Sequence, residues 1–248
     1  WAGPSWPWYG WGLWLAFNLL VLWLYPRGIA PLFNTFKPLE DAGLRDRINA
    51  LAQRCGFQTS GLYVMDGSRR SAHGNAYFTG LGRQKRIVFF DTLLNKLQPE
   101  EVEAVLAHEL GHFKHRHIQR RLLISVLTSL VFFLLAGWAW GKVGFYTGLG
   151  VIPQLGRPND ALALILFFMV VPTFTFWMGP LSALLSRRDE YQADHFAAQH
   201  SGAQDLISAL LKLYNDNAAT LTPDPLHSAF YDSHPNAIDR IRHLKSLA

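Results

Sequence analysis

Cysteine is almost missing from this chain: Cys55 is the single one in 248 residues. An internal disulfide and a cysteine-rich metal cluster are both excluded, so any metal must be held by histidine and carboxylate. Charge is scarce too, at 17% of residues against about 25% in a typical soluble domain. No arginine-rich or aromatic RNA-type motif accompanies the net charge of +5, so nucleic acid is not an expected partner. An initiating methionine is also lacking. The chain opens on Trp1, as expected of a fragment or processed product.

What is abundant is apolar surface: half of all residues are hydrophobic. Trp8–Tyr25 holds Asn18 as its only strongly polar side chain, Leu122–Trp140 carries no charge, and Ala161–Ser186 is uncharged but contains Pro172, Gly179 and Pro180. A hydrocarbon core of ~30 Å takes about 20 helical residues, so all three are candidate spans. The first does not read as a cleaved signal sequence, because its basic residues follow the apolar run.

Charge placement then orients the spans. Lys114, Arg116, Arg120 and Arg121 precede the second, Arg187 and Arg188 follow the third, and Arg27 and Lys37 follow the first. The loop between spans two and three holds only Lys142 and Arg157. Basic ends face the cytoplasm by the positive-inside rule, with Trp6, Trp8, Trp138 and Trp140 as an aromatic belt at the opposite interface. The positive charge beside apolar spans makes membrane lipid an expected partner.

Just before the second span lies Ala107-His108-Glu109-Leu110-Gly111-His112-Phe113. Residues four apart share a helix face, so His108 and His112 can offer imidazoles to one metal ion. Glu109 is placed to reach water at the metal rather than the metal. Gln98-Pro99-Glu100-Glu101 marks a helix start, with proline at a tolerated position and acids in the positive first turn. Val102, Val105, Leu106, Leu110 and Phe113 then recur at helical spacing. The competing reading is a helix with two incidental histidines.

Topology discriminates between these readings. If the motif helix runs straight into span two and span three returns, whatever follows Ser186 arrives beside His108 and His112. There the chain reads Arg187-Arg188-Asp189-Glu190-Tyr191-Gln192-Ala193-Asp194. Glu190 and Asp194 are four apart and face one way on a helix. One carboxylate as a third protein ligand leaves the fourth position that catalytic zinc requires. The second can accept the free ring N–H of a ligand histidine. Asp189 is the weaker candidate, since its neighbour four on is Ala193.

Taken together, these residues resemble the type-I, zinc-dependent CAAX prenyl protease family of integral-membrane metallopeptidases. The resemblance is carried by His-Gly-Asn-Ala-Tyr-Phe-Thr-Gly at 73–80, Arg-Ile-Val-Phe-Phe-Asp-Thr-Leu-Leu at 86–94, His108–His112, Glu190–Asp194 and Ser-His-Pro at 233–235. It implies one zinc ion per chain on His108, His112 and Glu190, with Glu109 as general base and Asp194 as the carboxylate behind a ligand. It further implies that His234 donates to the oxyanion and that Arg240 braces this region. Family members carry more amino-terminal spans, so a truncated form is expected. The short connecting segments resemble compact bacterial members, which points to a bacterial inner membrane with the catalytic side cytoplasmic.

Strands are expected at Leu62–Met65, Asn75–Thr79 and Arg86–Phe90. The last two are joined by a hairpin loop at Gly80-Leu81-Gly82-Arg83-Gln84-Lys85. A sheet edge beside the metal helix can align an extended peptide through its backbone. By resemblance that edge is Asn75, Ala76, Tyr77 and Phe78; an ordinary structural hairpin is the alternative. Residues 40–56 read as an amphipathic structural helix, with Leu44, Ile48, Leu51 and Cys55 on one stripe. His115 and His117 read as solvated residues in a basic turn.

The expected fold is a mainly α integral membrane protein, with a zincin-type, gluzincin-like catalytic domain and a small β-sheet. Residues 1–37 form a span and juxtamembrane segment, and 38–121 the first part of the peptidase domain. Residues 122–186 form a transmembrane hairpin, and 187–248 the second peptidase part. The function the resemblance implies is zinc-dependent cleavage of peptide or protein substrates, C-terminally isoprenylated (CAAX-type) or membrane-associated. Membrane-protein quality control without prenyl specificity is one alternative. A non-enzymatic zinc-containing membrane protein is the other.

Overall fold

The computed structural model describes residues 3–79, 85–154, 156, 158–216 and 223–247. In chain order it runs through α1 (Trp6–Leu24), α2 (Ala30–Phe33), β1 (Phe36–Pro38), α3 (Ala42–Arg54), β2 (Thr59–Met65), β3 (Ala76–Thr79) and β4 (Lys85–Phe90). After these come α4 (Asp91–Leu94), α5 (Pro99–Lys114), α6 (His117–Trp140), α7 (Val143–Gly148) and α8 (Asp160–Thr175). The chain ends with α9 (Met178–Ser201), α10 (Ala203–Asp216), α11 (Pro225–Tyr231) and α12 (Ala237–Lys245). Most of the expected loop, residues 80–84, lies outside the described residues, as does Arg157.

Two compact units result, one of Trp1–Trp23 with Ile118–Leu181, the other of Leu24–His117 with Ser182–Ala248. In the first, α6 carries exposed leucines, isoleucine and valine along its length, among them Leu123, Ile124, Leu127 and Val131. Such a surface is costly against water and matched to lipid. Small residues let its helices approach. A Cβ on Gly137 would stand 2.3 Å from the Pro7 ring, and Ala136 and Ala139 pack with Phe167. Trp6 and Trp140 meet with ring centroids 4.8 Å apart.

Helices long and apolar enough to cross a membrane occur at Gly3–Phe33 and His117–Trp140, and Asp160–Thr175 with Met178–Ser201 makes a third if the broken pair counts as one span. The break falls at Phe176–Trp177, between Pro172 and the Gly179–Pro180 pair. Proline removes a ladder donor and crowds the preceding turn, which explains an interruption here.

The second unit packs α3, α5, α10 and α12 against a four-stranded sheet of order β1-β2-β4-β3. β2 and β4 are parallel, and the outer pairs are antiparallel. Ile87, Val88 and Phe89 on β4 are all buried, as the continuous apolar run of a strand covered on both faces demands. β1, with Phe36 opposite Met65, has no alternating pattern and was not among the expected strands. Its Pro38 sits on an edge strand, where a missing N–H is tolerated.

α5 begins as its sequence requires. Gln98 and Glu101 form a reciprocal capping box, and Pro99 occupies the first turn. The Glu101 carboxylate also accepts from Ser208 at 2.5 Å and Lys212 at 2.6 Å, tying α10 to this start. Val102, Leu106 and Leu110 are buried, each contributing roughly 1.5–3 kcal/mol relative to exposure.

One expectation about α5 is overturned. It does not run straight on as the second span: the helix ends at Lys114, Arg116 takes a left-handed φ of 57°, and α6 begins afresh at His117.

Candidate metal centre

α5 and α9 carry the polar cluster, and a glycine sets their spacing. A Cβ on Gly111 would lie 2.9 Å from the Ala193 Cα and 3.1 Å from the Phe196 Cβ, so the two backbones approach as closely as they do because position 111 has no side chain. That approach brings His108 and His112 on α5 within reach of Glu190 on α9.

Ligating atoms of these three residues all lie within 4.8 Å of one another. His108 Nε2 and His112 Nε2 are 3.1 Å apart, His108 Nε2 to Glu190 Oε2 is 3.5 Å, and His112 Nε2 to Glu190 Oε1 is 3.4 Å. Donors around a tetrahedral zinc, with bonds of ~2.0–2.1 Å, are separated by about 3.3–3.4 Å. The set therefore fits that ion in spacing and in chemistry, two imidazoles and one carboxylate. Three protein donors is also the number catalytic sites use.

Behind the cluster, Asp194 Oδ1 stands 2.9 Å from His108 Nδ1, and Arg240 Nε donates to Asp194 Oδ2 at 2.9 Å. Arg240 is buried and its Nη1 is 3.7 Å from Glu190 Oε2. Two acids facing one arginine keep this buried charge compensated, the condition for tolerating it. Burial opposes the charge on Arg240, but its bond to Asp194 prevails and raises the guanidinium further above its ordinary value.

Electrostatics separate the neighbours on α5. Burial works against a charged His108, yet hydrogen bonds to Asp194 and Glu190 overcome it and push the imidazole up to about 9. Glu109 moves upward from the usual carboxylate range, chiefly through burial, with Glu190 adding to the shift and His108 opposing it. Its side chain is not among the donors converging on the cluster.

His234 lies in the turn before α12, with Nε2 3.5 Å from Glu190 Oε1. Ser233 Oγ meets its Nδ1 at 2.9 Å. A hydroxyl donating there would leave the His234 proton on the nitrogen facing the cluster. Thus His108, His112, Glu190, Asp194, Arg240 and His234 are brought together.

The strand residues lie along the sheet edge, where the Phe78 ring packs against Phe113 of α5 with centroids 6.1 Å apart. β3 starts at Ala76, one residue later than expected, while Asn75 closes the ladder through its carbonyl to Phe90 N at 2.9 Å. In this antiparallel register Asn75, Tyr77 and Thr79 direct their backbone groups at β4, leaving those of Ala76 and Phe78 pointing off the edge. Tyr77 and Asn75 line a cavity of about 570 Å³ with Met65, Arg70 and Phe90.

His117 corrects a second expectation. It is 1% exposed rather than solvated, with Nδ1 3.0 Å from His112 Nδ1; His115 is exposed. Gln192 lies beside it at 2.9 Å and Asp189, the weaker carboxylate candidate by spacing, at 3.6 Å.

Comparison with known proteins bears on the whole assembly. The model of Peptidase family M48 matches residues 38–248. A model described as CAAX prenyl protease N-terminal, five membrane helices, matches residues 1–35. CAAX prenyl protease 1 of Saccharomyces cerevisiae is 38% identical over 90% of this chain and 52% of its own length. The CAAX prenyl protease 1 homolog of Homo sapiens is 34% identical over 96% and 58%. The crystal structure of S. mikatae Ste24p superposes with a TM-score of 0.85 at 36% identity, covering 96% of this chain and 58% of that one. The chain thus spans about half the length of the curated relatives it matches. Its apolar helices and the amino-terminal match mark an integral membrane protein.

Proposed function

Because the chain belongs to peptidase family M48, we propose that it is the catalytic portion of a membrane zinc endopeptidase acting on peptide or protein substrates, including isoprenylated CAAX-type termini. The observation that carries this reading is the donor set of His108, His112 and Glu190, spaced 3.1–3.5 Å apart and backed by Asp194 on His108. His108, His112 and Glu190 would hold zinc, one ion per chain. Bound there, it would supply Lewis acidity, polarising the scissile carbonyl and acidifying water.

The chain's own residues account for the rest. Glu109 takes the proton of the attacking water and later passes it to the leaving amine nitrogen. Its upward shift by burial moves it toward the range in which a carboxylate can both accept and return a proton. His234, protonated on the nitrogen facing the cluster, donates to the oxyanion as the carbonyl becomes tetrahedral. Asp194 orients His108, and Arg240 neutralises the acids around it. The Ala76 carbonyl and the Phe78 backbone groups face outward and align an extended substrate as an added strand, the Ala76 N–H being taken by Asn75 Oδ1 at 2.8 Å. The basic ends of the apolar spans set the catalytic side toward the cytoplasm.

The test is hydrolysis of one quenched-fluorescence peptide, in prenylated and unprenylated forms, by detergent-purified protein. Cleavage should stop on chelation and return on adding zinc, with the prenylated form the better substrate. Cleavage insensitive to chelator would remove the zinc reading; equal rates on both forms would remove the prenyl preference.

A further inference from the structure

The outer nitrogens of the two motif histidines are held by different chemistry. His108 Nδ1 meets a carboxylate, Asp194, whereas His112 Nδ1 meets another imidazole, that of His117, at 3.0 Å. On its far side His117 Nε2 lies 2.9 Å from Gln192 Oε1 and 3.6 Å from Asp189 Oδ1. His117 and Asp189 are each 1% exposed.

Two nitrogens 3.0 Å apart require one proton between them. His112 turns Nε2 to the cluster, 3.4 Å from Glu190, and a ligating nitrogen must be bare. The proton therefore sits on His112 Nδ1, and His117 Nδ1 accepts it. His117 must then carry its own proton on Nε2, where an amide carbonyl and a carboxylate, both acceptors, face it. Each atom in the series has one role, and the roles agree.

We propose that His117 is a positioning residue: by accepting from His112 Nδ1–H it fixes the tautomer and ring orientation of that ligand, while Gln192 and Asp189 hold His117 in the matching tautomer. The inference rests on reading His112 as a zinc ligand. A neutral imidazole suits the place. Glu190 and Asp194 already face the cluster with Arg240 between them, so a third carboxylate in direct contact with the cluster would add buried negative charge to two acids that share one arginine. The backbone makes it feasible. On an unbroken helix a residue five on points about 140° away, but the left-handed turn at Arg116 (φ 57°) returns the chain to His112.

Zinc affinity measured by chelator competition on detergent-purified protein tests this. His117→Phe keeps the ring and removes both nitrogens; it should bind zinc roughly 10–100-fold more weakly with an unchanged circular dichroism spectrum. His117→Asn places an acceptor oxygen near the lost Nδ1 and should recover most of the affinity. In zinc-loaded protein with ¹⁵N-labelled histidine, the hydrogen-bonded Nδ1–H of His112 should be present in wild type and lost in His117→Phe. Wild-type affinity in His117→Phe, while His112→Ala loses zinc, would overturn the positioning role and leave the metal reading standing. No recovery in His117→Asn would overturn the hydrogen-bond account. A wild-type chain that binds no zinc would overturn both.

Discussion

Adjacent residues on one helix reach opposite electrostatic outcomes here. His108 faces two carboxylates and rises despite burial, while Glu109, beside it, rises because of burial. Replacing Glu109 with Gln keeps size and hydrogen-bonding capacity but removes the base. Zinc content should stay at wild-type stoichiometry while peptide turnover falls by about 10²–10⁴-fold. Turnover within tenfold of wild type, measured beside metal analysis of the same sample, would reject the assignment. The motif histidines were readable at this scale because four-residue spacing maps directly onto one helix face; the same spacing left Glu190 and Asp194 open as the third donor, and only the family resemblance pointed to Glu190. His117 was not readable, since its spacing from His112 becomes meaningful only after the backbone reverses at Arg116.

Elements matter through how closely they approach and which edges they leave unpaired. Gly111 to Ala improves helix propensity by about 1 kcal/mol, so intrinsic preference argues for the substitution. Packing argues against it, because the new Cβ would fall 2.9 Å from a backbone atom of α9, and backbone cannot swing aside. Overpacking of this kind costs about 1–3 kcal/mol. Gly111→Val should accordingly weaken zinc affinity by about one to two orders of magnitude while helical content is retained. Unaltered affinity would show that α9 can move without displacing Glu190.

The free edge of β3 gives a second expectation at this scale. Within β3 the outward carbonyls are those of Ala76 and Phe78, so N-methylating successive amides of a substrate peptide should impair cleavage at alternate positions. Each sensitive position should cost about one hydrogen bond, ~0.5–1.5 kcal/mol, or roughly 2–12-fold in kcat/KM. Uniform or absent sensitivity would mean that the peptide does not add as a strand. The partner strands were legible from β-branched and aromatic runs, whereas β1, three residues ending in proline, offers no periodicity to read.

Across the whole molecule, apolar surface and a polar metal cluster coexist in one chain. Leu13, Phe174 and Leu181 expose their side chains widely, which water would not tolerate at this density. The protein should stay in the membrane fraction after alkaline carbonate washing and leave it only with detergent; release by carbonate alone would contradict the integral assignment. Half a chain of hydrophobic residues, one cysteine and a four-residue histidine spacing were enough, read as sequence, to mark apolar spans, to exclude a cysteine-rich metal cluster and to place two histidines on one face of a helix. Those properties follow from composition and local periodicity, which every residue carries with it. Folding alone decided that the motif helix stops at Lys114 and that Gly111 sets the gap to Glu190. It likewise decided that His117 lies buried against His112, and that β3 rather than β4 is the open edge. Each of those depends on contacts between residues distant in the chain or on a single backbone turn, and neither leaves a repeat to be read.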